Sequence, residues 1–130
     1  MKLLLDTHIF LWFISGDTQL SPDWRESLRE AENEVYVSVV SFWEVMIKHA
    51  LGKLPLPQPP AQYLPLQRAR HQIASLSLDE ASVCHLAALP AVHRDPFDRM
   101  LICQAMELGL TIVTVDPVFA AYPAPLLSRT

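Results

Sequence analysis

The sequence predicts an α/β fold in three layers: a mostly parallel sheet with helices packed on both of its faces. Short runs of continuous apolar or β-branched residues recur along the chain, as in strands covered on both sides. Helical patterns with recognisable start and stop residues lie between them. The chain has 130 residues, 51% of them hydrophobic and 18% charged, enough for one buried core and too few for two. Residues 1–130 are therefore expected to form a single domain.

Leu3-Leu4-Leu5-Asp6 reads as a short buried strand ending on an acid. Val35-Tyr36-Val37-Ser38-Val39 is a second strand, Ile73-Ala74-Ser75-Leu76 a third and Thr111-Ile112-Val113-Thr114-Val115 a fourth. Pro125-Leu126-Leu127 is a weaker fifth, which would make the sheet five-stranded. Residues 8–14 are strongly apolar and helical. Ser21-Pro22 opens a helix running to about Ala31, with Ser as cap and Pro in the first turn. A helix from Ser41 to Leu51 is closed by Gly52, one from Asp79 to Leu89 by Pro90, and one from Pro96 to Leu108 by Gly109. Pro55, Pro57, Pro59, Pro60 and Pro65 crowd the middle of the chain and read as a stiff connection rather than a peptide ligand.

No apolar stretch reaches the roughly 18–20 residues that cross a bilayer. Asp6 interrupts the opening leucines before they could serve as a signal peptide, so the expected location is the cytoplasm. Cys84 and Cys103 stand in apolar contexts without CxxC or zinc spacing and are expected to be buried, free thiols. The net charge of −4 excludes a protein that holds nucleic acid mainly by counterion release. It does not exclude a metal-dependent nuclease, whose acids are ligands and whose bound cations reverse the local field.

Ligands of an open parallel sheet bind beyond the carboxyl ends of its strands. Asp6 and Asp116 both stand at such ends. Either could cap a turn; both on one edge would repel unless a cation or proton intervened. Glu44 follows another strand, where Ser41-Phe42-Trp43-Glu44 also fits a capping box and Lys48 stands at the i,i+4 position for an ion pair. In Arg94-Asp95-Pro96-Phe97-Asp98-Arg99, Asp95 fits an N-cap before a first-turn proline. Asp98 then lies in that first turn and is the acid left to bind a ligand. Asp6, Glu44, Asp98 and Asp116 together would make an all-oxygen pocket suited to Mg²⁺ or Mn²⁺. Such a metal can make a nucleophile from water and neutralise a phosphodiester during in-line displacement.

At these residues the chain resembles the PIN-domain nucleases, specifically the VapC-type toxins of type II toxin–antitoxin systems. Four pieces carry the resemblance: Leu3-Leu4-Leu5-Asp6-Thr7, Val37-Ser38-Val39-Val40-Ser41-Phe42-Trp43-Glu44, His93-Arg94-Asp95-Pro96-Phe97-Asp98-Arg99-Met100-Leu101-Ile102 and Leu110-Thr111-Ile112-Val113-Thr114-Val115-Asp116. Their order covers almost the whole chain. The resemblance implies a five-stranded PIN sandwich whose catalytic, metal-binding acids are Asp6, Glu44, Asp98 and Asp116. It also implies RNA as substrate, a cognate antitoxin as partner, and a homodimer. Thr7 and Thr114 sit beside acids and are placed to orient a water at the metal. Arg99, Asp95 and His93 complete the supporting or substrate-contacting set. His8 departs from the pattern, since many PIN domains carry Asn there.

Other basic residues that could meet phosphate are Arg94, Lys48 and Lys53, with Arg68, Arg70 and His71 as a second group. The Ser41–Leu51 helix is apolar on two sides, one suited to the sheet and one to a partner. A haloacid-dehalogenase-like phosphatase would need a second acid where His8 stands. A receiver domain would need a late lysine, and none follows Lys53. The alternative from another class is a PIN-like module that binds RNA or an antitoxin without cutting.

Overall fold

The computed structural model describes residues 1–91 and 94–128. Four parallel strands, β1 (Lys2–Leu5), β2 (Glu34–Ser38), β3 (Ala74–Leu76) and β4 (Thr111–Val113), pair in the order β3-β2-β1-β4. Among the described residues six α-helices connect or flank them: α1 (Thr7–Ser15), α2 (Pro22–Arg29), α3 (Val39–Ala50), α4 (Pro60–Arg70), α5 (Glu80–Cys84) and α6 (Pro96–Leu108).

The strand side chains alternate between two cores, as the pleat requires. Leu3, Leu5, Val35, Val37 and Val113 pack with Ile9, Phe10 and Phe13 of α1, Trp24 and Leu28 of α2, and Tyr63 and Leu64 of α4. On the other face Leu4 and Ile112 pack with Leu101, Ile102 and Ala105 of α6, together with Leu89, Phe119 and Tyr122. The helix α3 contributes Val45 to the first core and Val40 to the second. This is the three-layer α/β sandwich expected from the sequence.

The sheet has four strands among the described residues, not five. Leu126 forms only an isolated parallel bridge to Ile112. Ile112 N–H donates to the Pro125 carbonyl and Leu127 N–H to the Ile112 carbonyl, each at 2.9 Å. Pro123 and Pro125 lack the amide protons needed to lengthen that ladder.

Helix boundaries largely follow the local signals. Ser21 Oγ accepts from Trp24 N–H and starts α2, and Asp79 caps α5. Gly109, at φ 66°, closes α6 in the left-handed conformation glycine adopts without a steric penalty. The crowded prolines include a helix the sequence reading passed over. Pro59 and Pro60 stand at the start of α4, where a missing N–H costs nothing, and only Pro65 lies inside. Cys103 is buried and Cys84 is exposed; both are free. Burial of Cys84 was expected, but α5 ends there and tightens into a 3₁₀ turn, His85–Ala88, that leaves the thiol outside. None of the helices described is long and apolar enough to cross a membrane.

Candidate active site

The parallel pairing brings the carboxyl ends of β1, β2 and β4 to one edge. Leu5 lies opposite Val113, and Asp6 N–H continues that ladder by donating to the Val113 carbonyl at 3.0 Å. Asp6 is therefore held alongside Thr114. It occupies the N-cap position of α1 but makes no side-chain cap bond, so its carboxylate is left for other partners. The Thr114 hydroxyl donates to Asp6 Oδ2 at 2.6 Å and accepts the Asp116 N–H at 3.1 Å. One buried hydroxyl thus ties the strand-end acids together.

Glu44 lies in the second turn of α3, not in a capping box. The cap of α3 is Ser38, whose Oγ accepts from Val40 N–H, so the helix begins before Ser41 and places Ser41 and Glu44 inside it. Both are buried. Glu44 Oε1 accepts from the Thr7 hydroxyl at 2.7 Å, and Ser41 Oγ lies 2.8 Å from the same Thr7 oxygen. Thr7 has a single proton, so with that proton on the carboxylate, Ser41 is the donor to Thr7. Glu44 Oε2 pairs with the Lys48 ammonium, the i,i+4 contact anticipated from the sequence. Thr7 and Thr114 therefore orient the acids themselves.

At the start of α6, Asp95 Oδ1 accepts from Phe97 N–H at 2.8 Å and from Asp98 N–H at 3.0 Å. Asp95 is the cap, and Asp98 follows in the first turn, as expected. Asp116 caps the 3₁₀ turn after β4 by accepting from Val118 N–H at 3.0 Å.

Asp6, Glu44, Asp95, Asp98 and Asp116 line one cavity of about 400 Å³, together with Lys48, His8 and Trp12. Lys48 was expected from the sequence as the partner of Glu44 and a phosphate contact, and it lines the pocket; Trp12 was not singled out, and its i,i+4 spacing from His8 was the available signal. Burial pushes the Asp6 carboxyl above the ordinary carboxylate range. The Thr114 hydrogen bond and the charge of His8 oppose that rise, and Glu44 adds to it. Lys48 is held above the usual lysine range, chiefly by its bond to Glu44 and further by the negative charge of Asp95 and Asp98.

The donor set fits a hard divalent cation: carboxylate oxygens line the pocket, and a lysine ammonium already pairs with one of them. Among the described residues no three His, Cys, Asp or Glu side chains converge as a ready-made metal cage. Ligands that share a wall without meeting suit an ion such as Mg²⁺, which keeps several waters between itself and the protein.

The other proposed contact residues fare unequally. Arg99 Nη1 donates to the Pro90 carbonyl, and Arg68 Nη1 to the Ile73 carbonyl, so both guanidinium groups brace loops. The Arg68, Arg70 and His71 group lies away from the carboxylates, with Arg70 and His71 lining a different cavity. His93 lies outside the described residues. His8 is exposed at the rim of the carboxylate cavity, its ring centroid 6.2 Å from that of Trp12.

The chain is thus a parallel three-layer α/β sandwich with a cluster of acids at one strand edge. The PIN domain family profile matches residues 3–125, and the chain belongs to that family. It is 38% identical over 64 residues to Ribonuclease VapC16 of Mycobacterium tuberculosis, covering 49% of this chain and 45% of that protein. To Ribonuclease VapC22 of the same organism it is 25% identical over 115 residues, covering 88% and 86%. The structure superposes on VapBC2 of Rickettsia felis, crystallised with a DNA fragment from its promoter, with a TM-score of 0.74 at 16% identity over 98% of each chain. VapBC-5 of Mycobacterium tuberculosis, a member of the VapBC family of toxin–antitoxin systems, gives a TM-score of 0.54 at 23% identity, covering 92% of this chain and 89% of that one.

Proposed function

We propose that this chain is a Mg²⁺- or Mn²⁺-dependent ribonuclease, a single PIN domain that acts in the cytoplasm as the toxin of a toxin–antitoxin pair. The observation that carries the reading is the gathering of Asp6, Glu44, Asp98 and Asp116 around one cavity at the strand carboxyl edge. These acids come from four separate parts of the chain, and like charges collect in this way where a cation is to be held. The ribonuclease relatives support RNA as the substrate.

A divalent ion held by Asp6, Asp98, Asp116 and Glu44 would supply Lewis acidity and neutralise the phosphodiester during hydrolysis. The chain's own residues do the positioning. Thr114 fixes Asp6, and its contact with the Asp116 amide fixes the spacing of the two acids. Thr7 and Lys48 fix the two oxygens of Glu44. Asp95 caps α6 and sets the turn that carries Asp98. The Lys48 ammonium also adds positive charge where a phosphate would enter.

An antitoxin and a second copy of the chain are the proposed partners. Trp43, Met46 and Ile47 are exposed on α3 at 58%, 38% and 38%, whereas Val45 is buried on the same helix. An apolar face of this kind on a surface helix is suited to a protein partner.

The test is cleavage of a mixed RNA pool by the purified chain, freed of any co-purifying antitoxin, and by Asp98→Asn. Cutting by the unsubstituted chain alone, with Mg²⁺ or Mn²⁺ and not with EDTA, is the expected result. Absence of cutting under every condition would overturn the nuclease reading in favour of a binding module.

A further inference from the structure

A second cavity, of about 240 Å³, opens beside the carboxylate pocket and shares two lining residues with it, His8 and Trp12. Besides those two it is lined by Leu11 and Ser15 of α1, Asp17, the Leu54–Pro57 segment and Tyr63. Trp12 is half-buried, with part of its ring against the core and part facing the cavity. From Asp6 to Trp12 the helix advances six residues, about 9 Å at 1.5 Å per residue. The aromatic surface therefore lies within the reach of one nucleotide from the acids.

The charge balance asks for such a surface. The chain carries a net charge of −4; the lysine that lines the carboxylate pocket and two arginines of the chain already hold partners. Lys48 is paired with Glu44. Arg25 donates to the carbonyls of Phe13 and Asp17, and Arg99 to that of Pro90. A protein with this balance gains little affinity from phosphate neutralisation. Base stacking on aromatic faces is the other general means of holding single-stranded nucleic acid, and it is indifferent to net charge.

We propose that the His8–Trp12 cavity is a base-binding subsite, in which one unpaired nucleobase of an RNA strand stacks on Trp12 while the adjoining phosphate lies over the carboxylates. The occupant is single-stranded RNA because a paired base presents no free face. His8 and Trp12 line both cavities, and this adjacency to the carboxylates favours a substrate segment over a separate protein ligand. This inference rests on the ribonuclease reading and adds the residue that holds the strand.

The experiment measures binding without cleavage. Short fluorescent single-stranded oligoribonucleotides are titrated by anisotropy in Mg²⁺ against the Asp98→Asn chain, which should not cut them, then against the same chain carrying Trp12→Leu or Trp12→Phe. An abasic nucleotide is stepped through the oligonucleotide in parallel. Trp12→Leu keeps an apolar side chain but removes the aromatic face, and should weaken binding about 5- to 150-fold, the contribution of one stacked base. Trp12→Phe should restore most of it. The parent should lose affinity at one abasic position, and Trp12→Leu should be insensitive there, a response that a merely structural tryptophan would not give. Equal affinity of Trp12→Leu and parent, with no sensitive abasic position, would overturn the subsite and leave the cavity to a protein segment. If the unsubstituted chain still cuts RNA in that case, the nuclease reading stands without the subsite; if it neither binds nor cuts, both fall.

Discussion

Replacing Thr114 with valine tests how the candidate site is held together. The two side chains have the same shape, so the change removes one buried hydroxyl and little else. Thr114 is 7% exposed, and its hydroxyl donates to the Asp6 carboxylate at 2.6 Å while accepting the Asp116 amide at 3.1 Å. A hydrogen bond to a charged group contributes about 1.5–3 kcal/mol, and an ordinary one about 0.5–1.5 kcal/mol. Loss of both should cost about 2–4 kcal/mol at pH 7. The cost should depend on pH. Burial already raises the Asp6 carboxyl above the ordinary value of 3.8, and Thr114 is the largest influence opposing that rise. The Thr114 contribution is therefore full above the folded-state value of Asp6 and falls as Asp6 takes up its proton on acidification. Urea denaturation of the two proteins in EDTA, at pH 7 and near pH 4, measures this directly. A loss below about 0.5 kcal/mol at pH 7, less than an ordinary hydrogen bond, or an equal loss at both pH values, would refute the argument.

Asp6→Asn should abolish cleavage and raise stability at pH 7. A carboxyl whose folded-state value lies above its unfolded one loses stability as pH rises through that interval, and asparagine has no such slope. A less stable Asp6→Asn protein at pH 7 in EDTA would contradict the burial cost assigned to Asp6. Asp95→Asn should retain most activity because asparagine also caps helices, whereas Asp95→Ala should lose about 1 kcal/mol of stability. A folded but inactive Asp95→Asn protein would reverse the assignment of Asp95 and Asp98. Gly109→Ala should destabilise the fold by about 1–2 kcal/mol, since φ is 66° there; an unchanged melting temperature would show that α6 can close in another way.

Much of the architecture was legible because it is written in short-range patterns. Leu3-Leu4-Leu5 and Thr111-Ile112-Val113 have no polar side to turn to water, so they had to be interior strands. Ser21-Pro22, Asp95-Pro96 and Gly109 mark helix ends through hydrogen bonds and φ preferences that act within a turn. The errors also have local causes. Pro125 and its neighbours carry apolar residues like a strand but lack the amide protons to extend one. The Ser41–Glu44 spacing fits a capping box, yet Ser38 captured the cap first.

The candidate acids were visible as residue types at strand ends and first turns. Apart from Lys48 beside Glu44, their partners were not. Asp6 and Thr114 are 108 positions apart, and Thr7 and Glu44 are 37 apart; only the parallel register of β1 between β2 and β4 brings them within hydrogen-bond distance. The sequence by itself determined the four strands of the sheet, most of the helices, most of their caps and the inventory of carboxylates, because propensity and periodicity act over a few residues. The tertiary structure alone decided which hydroxyl holds which acid, and that Trp12 lines both the carboxylate pocket and the cavity beside it. Those outcomes depend on strand order and on how helices seat against the sheet, and such long-range geometry is fixed only when the whole core packs.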